Sequence, residues 1–123
     1  MDYKELKHDC TLAWYDGPVI QTSRDKDNNL YIEFNPLPVG SFLSQITVEN
    51  LVKMIHNEIT LAECFHSGSK KWKWNTDIVN YEEISEFGPD DLMDNNVYFD
   101  DICYLERITY IDELEKEQNN ESV

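Results

Sequence analysis

Val19-Ile20-Gln21-Thr22-Ser23, then Asp25-Lys26-Asp27-Asn28-Asn29, then Leu30-Tyr31-Ile32-Glu33-Phe34: two β-prone runs flank an all-polar loop and read together as an antiparallel hairpin. Upstream, Cys10 to Ile20 is apolar and β-prone, interrupted by Tyr15-Asp16-Gly17-Pro18. Asp-Gly supplies a positive-φ position and Pro18 fixes the next dihedral, so a turn belongs there. Residues 2–8 are polar and suit a short helical turn or a frayed arm. Downstream, Pro36, Pro38 and Gly40 break the chain before a further strand at Ser41 to Ile46.

Helical signals follow. Thr47 suits an N-cap with Glu49 in the first turn, and Val48, Leu51, Val52 and Ile55 recur at offsets of three and four, predicting a helix over 48–57. Thr60-Leu61-Ala62-Glu63 matches a capping box, with Leu61, Cys64 and Phe65 on one face of a second short helix ended by Ser67-Gly68-Ser69. Lys71-Trp72-Lys73-Trp74 has the period-two pattern of a half-buried strand. Its tryptophans are expected to face the core, while its lysines guard an exposed strand or pair with the protein's own acidic segment.

Ile78 to Phe87 favours extended structure, and Gly88-Pro89-Asp90-Asp91 a turn leading into one helical turn at Leu92-Met93. A strand is expected at Val97 to Leu105, a helix or strand at Ile108 to Glu117, and a disordered tail over 118–123. The sum is one α+β domain over residues 1–123: an antiparallel sheet of about five strands with two or three short helices on one face.

The string Tyr15-Asp16-Gly17-Pro18-Val19, the polar hairpin, Leu30-Tyr31-Ile32 and then Glu58-Ile59-Thr60-Leu61-Ala62-Glu63-Cys64-Phe65 resembles an uncharacterised family of small bacterial α+β proteins. Its members show a Tyr-Asp-Gly-Pro hairpin, a Leu-Tyr strand, and a helix leading into Ile-Ser-Leu, two variable residues and Ala-Phe. The likeness covers about residues 12–75, departs at Cys64, where a small residue is usual, and has no counterpart for the last third. It implies a fold and a bacterial or phage origin. It implies no activity.

The 123 residues are 41% hydrophobic, enough for one real core, and carry a formal charge of −15. Residues 1–76 hold 10 acidic and 8 basic side chains, whereas residues 77–123 hold 15 acidic side chains and only Arg107 and Lys116 as cations. That excess repels nucleic acid and anionic membranes and attracts basic protein surfaces. Met1-Asp2-Tyr3-Lys4-Glu5 lacks an apolar signal core, no run approaches the ~20 apolar residues of a membrane span, and Cys10, Cys64 and Cys103 suit reduced, buried thiols. A cytoplasmic protein is expected.

The expected function is therefore binding, without catalysis or a cofactor, of a basic surface on another protein. The partner would be a nucleic-acid enzyme inhibited by a phage-encoded DNA mimic or, alternatively, a basic toxin neutralised by an immunity protein. The candidate residues are Asp90, Asp91, Asp94, Asp100, Asp101 and Glu106, with Tyr98 and Phe99 as anchors, because these acids are interleaved with apolar side chains rather than forming a plain solvated run. A second alternative is a small enzyme or metal-binding protein using His8, Cys10, Cys64 and His66, although each pair has one intervening residue instead of the usual two to four. Asp25-Lys26-Asp27-Asn28-Asn29 opens like a calcium loop, but Leu30 and Pro36 stand where Gly and Glu are needed, so a plain hairpin loop is expected.

Overall fold

The computed structural model describes residues 2–15, 18–35 and 41–121. Asp16 and Gly17 of the expected turn, the breakers Pro36, Pro38 and Gly40, and Ser122 and Val123 lie outside the described residues. Strands β1 (Lys7–Trp14), β2 (Pro18–Arg24), β3 (Leu30–Phe34) and β4 (Phe42–Ile46) form an antiparallel meander. Two helices, α1 (Val48–Ile55) and α2 (Leu61–His66), separate it from β5 (Lys70–Asn75) and β6 (Asn80–Ile84). The six strands lie in chain order, one more than expected, because Asn80–Ile84 pairs with β5. The chain continues through α3 (Phe99–Ile102) and α4 (Tyr110–Glu121), so the helix runs past Gln118, where a disordered tail was expected.

The hairpin read from the sequence is β2–β3, with Ile20 opposite Phe34 and Arg24 opposite Leu30. Asp25 closes its loop. Its Oδ1 accepts the N–H groups of Asp27 and Asn29, and its Oδ2 accepts the Asn29 amide and the Tyr31 hydroxyl, all at 2.7–3.0 Å. The carboxylate is thus spent on the loop's own donors. Asn28 takes the positive φ of 65° that the turn requires, which Asn tolerates.

Leu12, Ile20, Leu30, Ile32, Phe42 and Ile46 point to one face of the sheet, and all four helices cover that face through Leu51, Met54, Leu61, Phe65, Phe99, Tyr110 and Leu114. Thr47 caps α1 by accepting Asn50 N–H at 3.1 Å, and Thr60 and Glu63 form the expected reciprocal box at 3.1 Å each. Caps alone would not hold a six-residue helix in water. Burial of Leu61 and Phe65, worth roughly 1.5–3 kcal/mol per side chain, does. Gly68 lets the chain leave α2 against β4, since a β-carbon there would collide with Ser44 Oγ, itself held by the Phe65 carbonyl at 2.8 Å.

Two expectations need correction. β5 is an interior strand between β4 and β6, so its lysines guard no edge. They lie on the helix side: buried Lys71 donates to the Gly68 carbonyl at 3.0 Å, while Lys73 reaches Asp91 at 3.7 Å and sits 5.6 Å from the Phe42 ring centroid. Val97–Leu105 is not a strand. Asp101 accepts Tyr98 N–H at 2.8 Å, and with Asp100 it places two carboxylates in the first turn of α3, where a helix N-terminus favours them. Beyond α3 the chain only runs beside β1, with Tyr104 N–H on the Leu12 carbonyl at 2.8 Å.

The acidic third is therefore folded onto the body, and ion pairs help hold it there. Arg24 grips Glu117 with two bonds of 2.7 and 2.8 Å and lies 3.7 Å from Asp9. The fully buried Tyr110 hydroxyl donates to Asp9 Oδ2 at 2.7 Å and meets Thr22 Oγ1 at 2.9 Å.

Val79, at the β5–β6 turn, has φ 50°, a left-handed conformation that a β-branched residue resists. Replacing Val79 with Gly should raise stability by about 1 kcal/mol, read from urea unfolding. At Asp25, burial pushes the carboxyl pKa up, but the bonds from Asn29, Tyr31 and Asp27 outweigh it and hold the group below its ordinary value. Its stabilising effect is thus present above about pH 4 and lost as pH falls through the lower folded value. Wild type should exceed Asp25→Asn by about 1 kcal/mol at neutral pH, with the gap closing in acid.

Candidate functional site

The interleaved acids do not stand free as a set. Asp91 accepts Gly88 N–H at 2.6 Å and faces Lys73, Asp101 caps α3, Asp100 accepts the Asn57 amide at 2.8 Å, and Glu106 accepts Thr11 N–H at 3.0 Å. Asp90 and Asp94 are exposed, and their carboxylates have no partner among the described residues. Tyr98 is 40% exposed, but Phe99 is buried at 5%. Its ring pins α3 to the core and is not open to a partner.

His8, Cys10, Cys64 and His66 are not brought together. A β-bulge between His8 and Cys10 breaks strand alternation, so His8 lines the sheet face opposite the helices while Cys10 sits in the helix-side core. Cys64 is fully buried, and exposed His66 packs edge-on against Phe87 at 5.9 Å. Among the described residues, no group of three or more His, Cys, Asp or Glu side chains is placed to hold a metal. Burial pushes the Cys64 and Cys103 thiols up to about 12, and raises Cys10 despite the nearby Arg107, so at neutral pH they are thiols rather than nucleophilic thiolates.

The other face of the sheet forms a concave cleft of about 590 Å³. Its curvature is visible in two contacts that span the sheet. Tyr81 on β6 reaches back to donate to Glu33 Oε1 on β3 at 2.6 Å. The arm before β1 crosses to the far side, where Tyr3 N–H meets Asn80 Oδ1 at 3.2 Å and the Tyr3 ring packs edge-on with Trp74 at 5.2 Å. The bulges in β1 add the twist that such curling needs. Beneath the cleft, Tyr31, Leu43, Trp72 and Tyr81 form a second small core.

Glu33 is the centre of the cleft's polar floor. Gln21 Nε2 donates to its second oxygen at 2.7 Å, so both oxygens receive a neutral donor. Ser23 lies on the same face of β2 as Gln21, is 5% exposed, and its hydroxyl has no hydrogen-bond partner among the described residues. His8 Nε2 is 2.9 Å from Thr11 Oγ1. Burial, followed by the charge and hydrogen bond of Glu33, pushes the Tyr81 phenol far above its usual range, so it stays a donor.

Gln21, Ser23, Glu33 and Tyr81 are not among the candidate residues that the sequence pattern offers. The signal was the alternation of Gln21 and Ser23 with Ile20 and Thr22, and of Tyr31 and Glu33 with Leu30 and Ile32. It marks a polar sheet face, but not a curled one.

No protein-family model, curated protein or solved structure matches this chain.

Tyr81→Phe removes one of the two donors to Glu33. It should lower stability by about 1.5–3 kcal/mol, the range for a hydrogen bond to a charged group, measured by chemical denaturation.

Proposed function

We propose that this chain is a binding protein whose acidic last third contacts a basic surface on another protein. What supports the reading is where the exposed apolar side chains lie. Among the described residues, Ile78, Val79, Tyr98, Ile102, Tyr104 and Ile108 account for six of the nine exposed large hydrophobics, and all six belong to residues 77–123. A segment that served only to solvate the protein has no use for an Ile108 left 84% exposed. Apolar anchors ringed by carboxylates suit a partner with a complementary basic rim.

The fold places Tyr104 beside β1, its N–H bonded to the Leu12 carbonyl, on the strand that ends in exposed Trp14 and leads into exposed Tyr15. This arrangement favours contact through apolar side chains over strict phosphate mimicry, because Asp91, Asp101 and Glu106 each already accept a backbone N–H group of the protein itself. A basic toxin and a nucleic-acid enzyme both remain suitable partner classes. The bacterial or phage origin implied by the Tyr15–Pro18 and Glu58–Phe65 strings belongs to the same proposal. No helix among the described residues is long and apolar enough to cross a membrane.

The test is capture of a basic protein from a bacterial lysate at low and at high salt, with wild type and the double variant Ile102→Asp, Tyr104→Asp. The expected result is a basic partner retained by wild type, released by salt, and lost with a double variant that unfolds at the wild-type midpoint. Equal retention by both proteins would refute the reading.

A further inference from the structure

We infer that the concave cleft is a separate binding site for an organic cation, above all a guanidinium group. The argument starts at Glu33. Its two oxygens each hold one neutral hydrogen bond, from Gln21 and Tyr81, while a carboxylate has about four acceptor positions. Glu33 has no ion-pair partner among the described residues, and its side chain is partly buried. The cleft is lined by neither lysine nor arginine. Glu33 thus presents a fixed negative charge with acceptor capacity left over. A bound cation would supply the missing counter-charge.

The walls suit the same chemistry. Tyr3 and Tyr81 both pack nearly perpendicular to Trp74, at 78° and 86°, which fixes three aromatic rings around the polar floor. Aromatic rings attract cations through their π faces, and a planar guanidinium can stack as well as donate. Ser23 is the second, independent observation. Its buried hydroxyl lacks a partner, and a group left so costs about 1–3 kcal/mol unless something bonds it. A ligand with several N–H donors would satisfy both Glu33 and Ser23. The volume, about 590 Å³, is that of a small-ligand pocket and exceeds what one side chain fills. An anion would find no cationic partner among Lys or Arg here and would meet the Glu33 charge.

The guanidinium has two possible sources: a free small molecule, or an arginine side chain presented by a polypeptide. Titrations by calorimetry and Trp fluorescence, at physiological salt, would use agmatine, N-acetyl-arginine amide, a short capped arginine peptide, the uncharged isostere N-acetyl-citrulline amide (citrulline amide below), and glucose. Agmatine and the arginine compounds should bind, and citrulline amide and glucose should bind at least about tenfold more weakly, the loss expected when a charge-assisted bond disappears. Agmatine binding as tightly as the peptide assigns the site to a free cation; a tighter peptide assigns it to a side chain. Failure of every guanidinium compound to bind, or equal binding of citrulline amide, overturns the inference.

Because a protein of charge −15 attracts any cation, location must be tested too. Glu33→Gln and Ser23→Ala should each weaken binding, while Asp90→Asn, outside the cleft, should not. Tyr3→Ala, on the half-exposed arm, supplies a variant that need not disturb the sheet and should also weaken binding. Equal loss in Asp90→Asn would mean diffuse attraction and would overturn the site. The Ile102→Asp, Tyr104→Asp protein should bind agmatine normally, so this inference and the reading of the acidic third stand or fall separately.

Discussion

Arg24 is the hinge of this structure's electrostatics. Its guanidinium is taken largely out of water between Asp9 and Glu117, where its burial works against its charge and the two carboxylates restore it. Leaving any one of the three unpaired in that position would be costly, since a partly buried charge without its partner keeps the desolvation penalty and loses the compensation. Tyr110 completes the arrangement by bonding Asp9 and Thr22 from the fully buried side. The interaction carries α4 onto β1 and β2, and with it the carboxylates of the last helix. His56 with Glu115 and Arg107 with Glu113 repeat the principle at the surface, where such pairs contribute little each.

This docking decides what the acidic residues can do. A chain with 15 acidic and two basic side chains in its last 47 residues would be expected to repel itself into an extended tail. It does not, because the first two-thirds supply the cations Arg24 and Lys73 and the His56 imidazole as partners, and because Phe99, Tyr110 and Leu114 bury apolar surface in the shared core. The carboxylates that remain outward are accompanied by exposed apolar side chains. The sheet meanwhile is used on both faces: one buries the helices, and the other curls into a polar cleft that the helices never approach.

Much of the local structure was legible in the residues. The Thr47 cap and the Thr60–Glu63 box rest on contacts three positions apart, the β2–β3 hairpin on pairing across one short loop, and the Lys71–Trp74 strand on a period-two alternation, so their patterns carry over directly. The failures share a cause. Val97–Leu105 reads as a strand by composition, but Asp100 and Asp101 favour a helix start, and the chain beyond that helix meets the open edge of β1 only through isolated backbone bonds from Tyr104 and Glu106. Phe99 reads as an anchor because acids are interleaved with the apolar side chains around it, whereas consecutive helix positions point about 100° apart, so an exposed Asp100 carboxylate directly follows a buried ring. The cleft was not legible at all, because Glu33 and Tyr81 are 48 residues apart in the chain and meet only when the sheet curls.

By itself, the order of residues determined the alternation of helix and strand, the presence of one α+β core, and the concentration of negative charge toward the C-terminus. Those depend on side-chain periodicity, caps and composition, all local or additive properties. Only the tertiary structure decided which carboxylates are consumed by internal donors, which face of each strand meets the helices, and that the opposite face closes around Glu33 and Ser23. The physical reason is that satisfaction of a charge or a hydroxyl depends on what surrounds it in space, and long-range antiparallel pairing sets those surroundings.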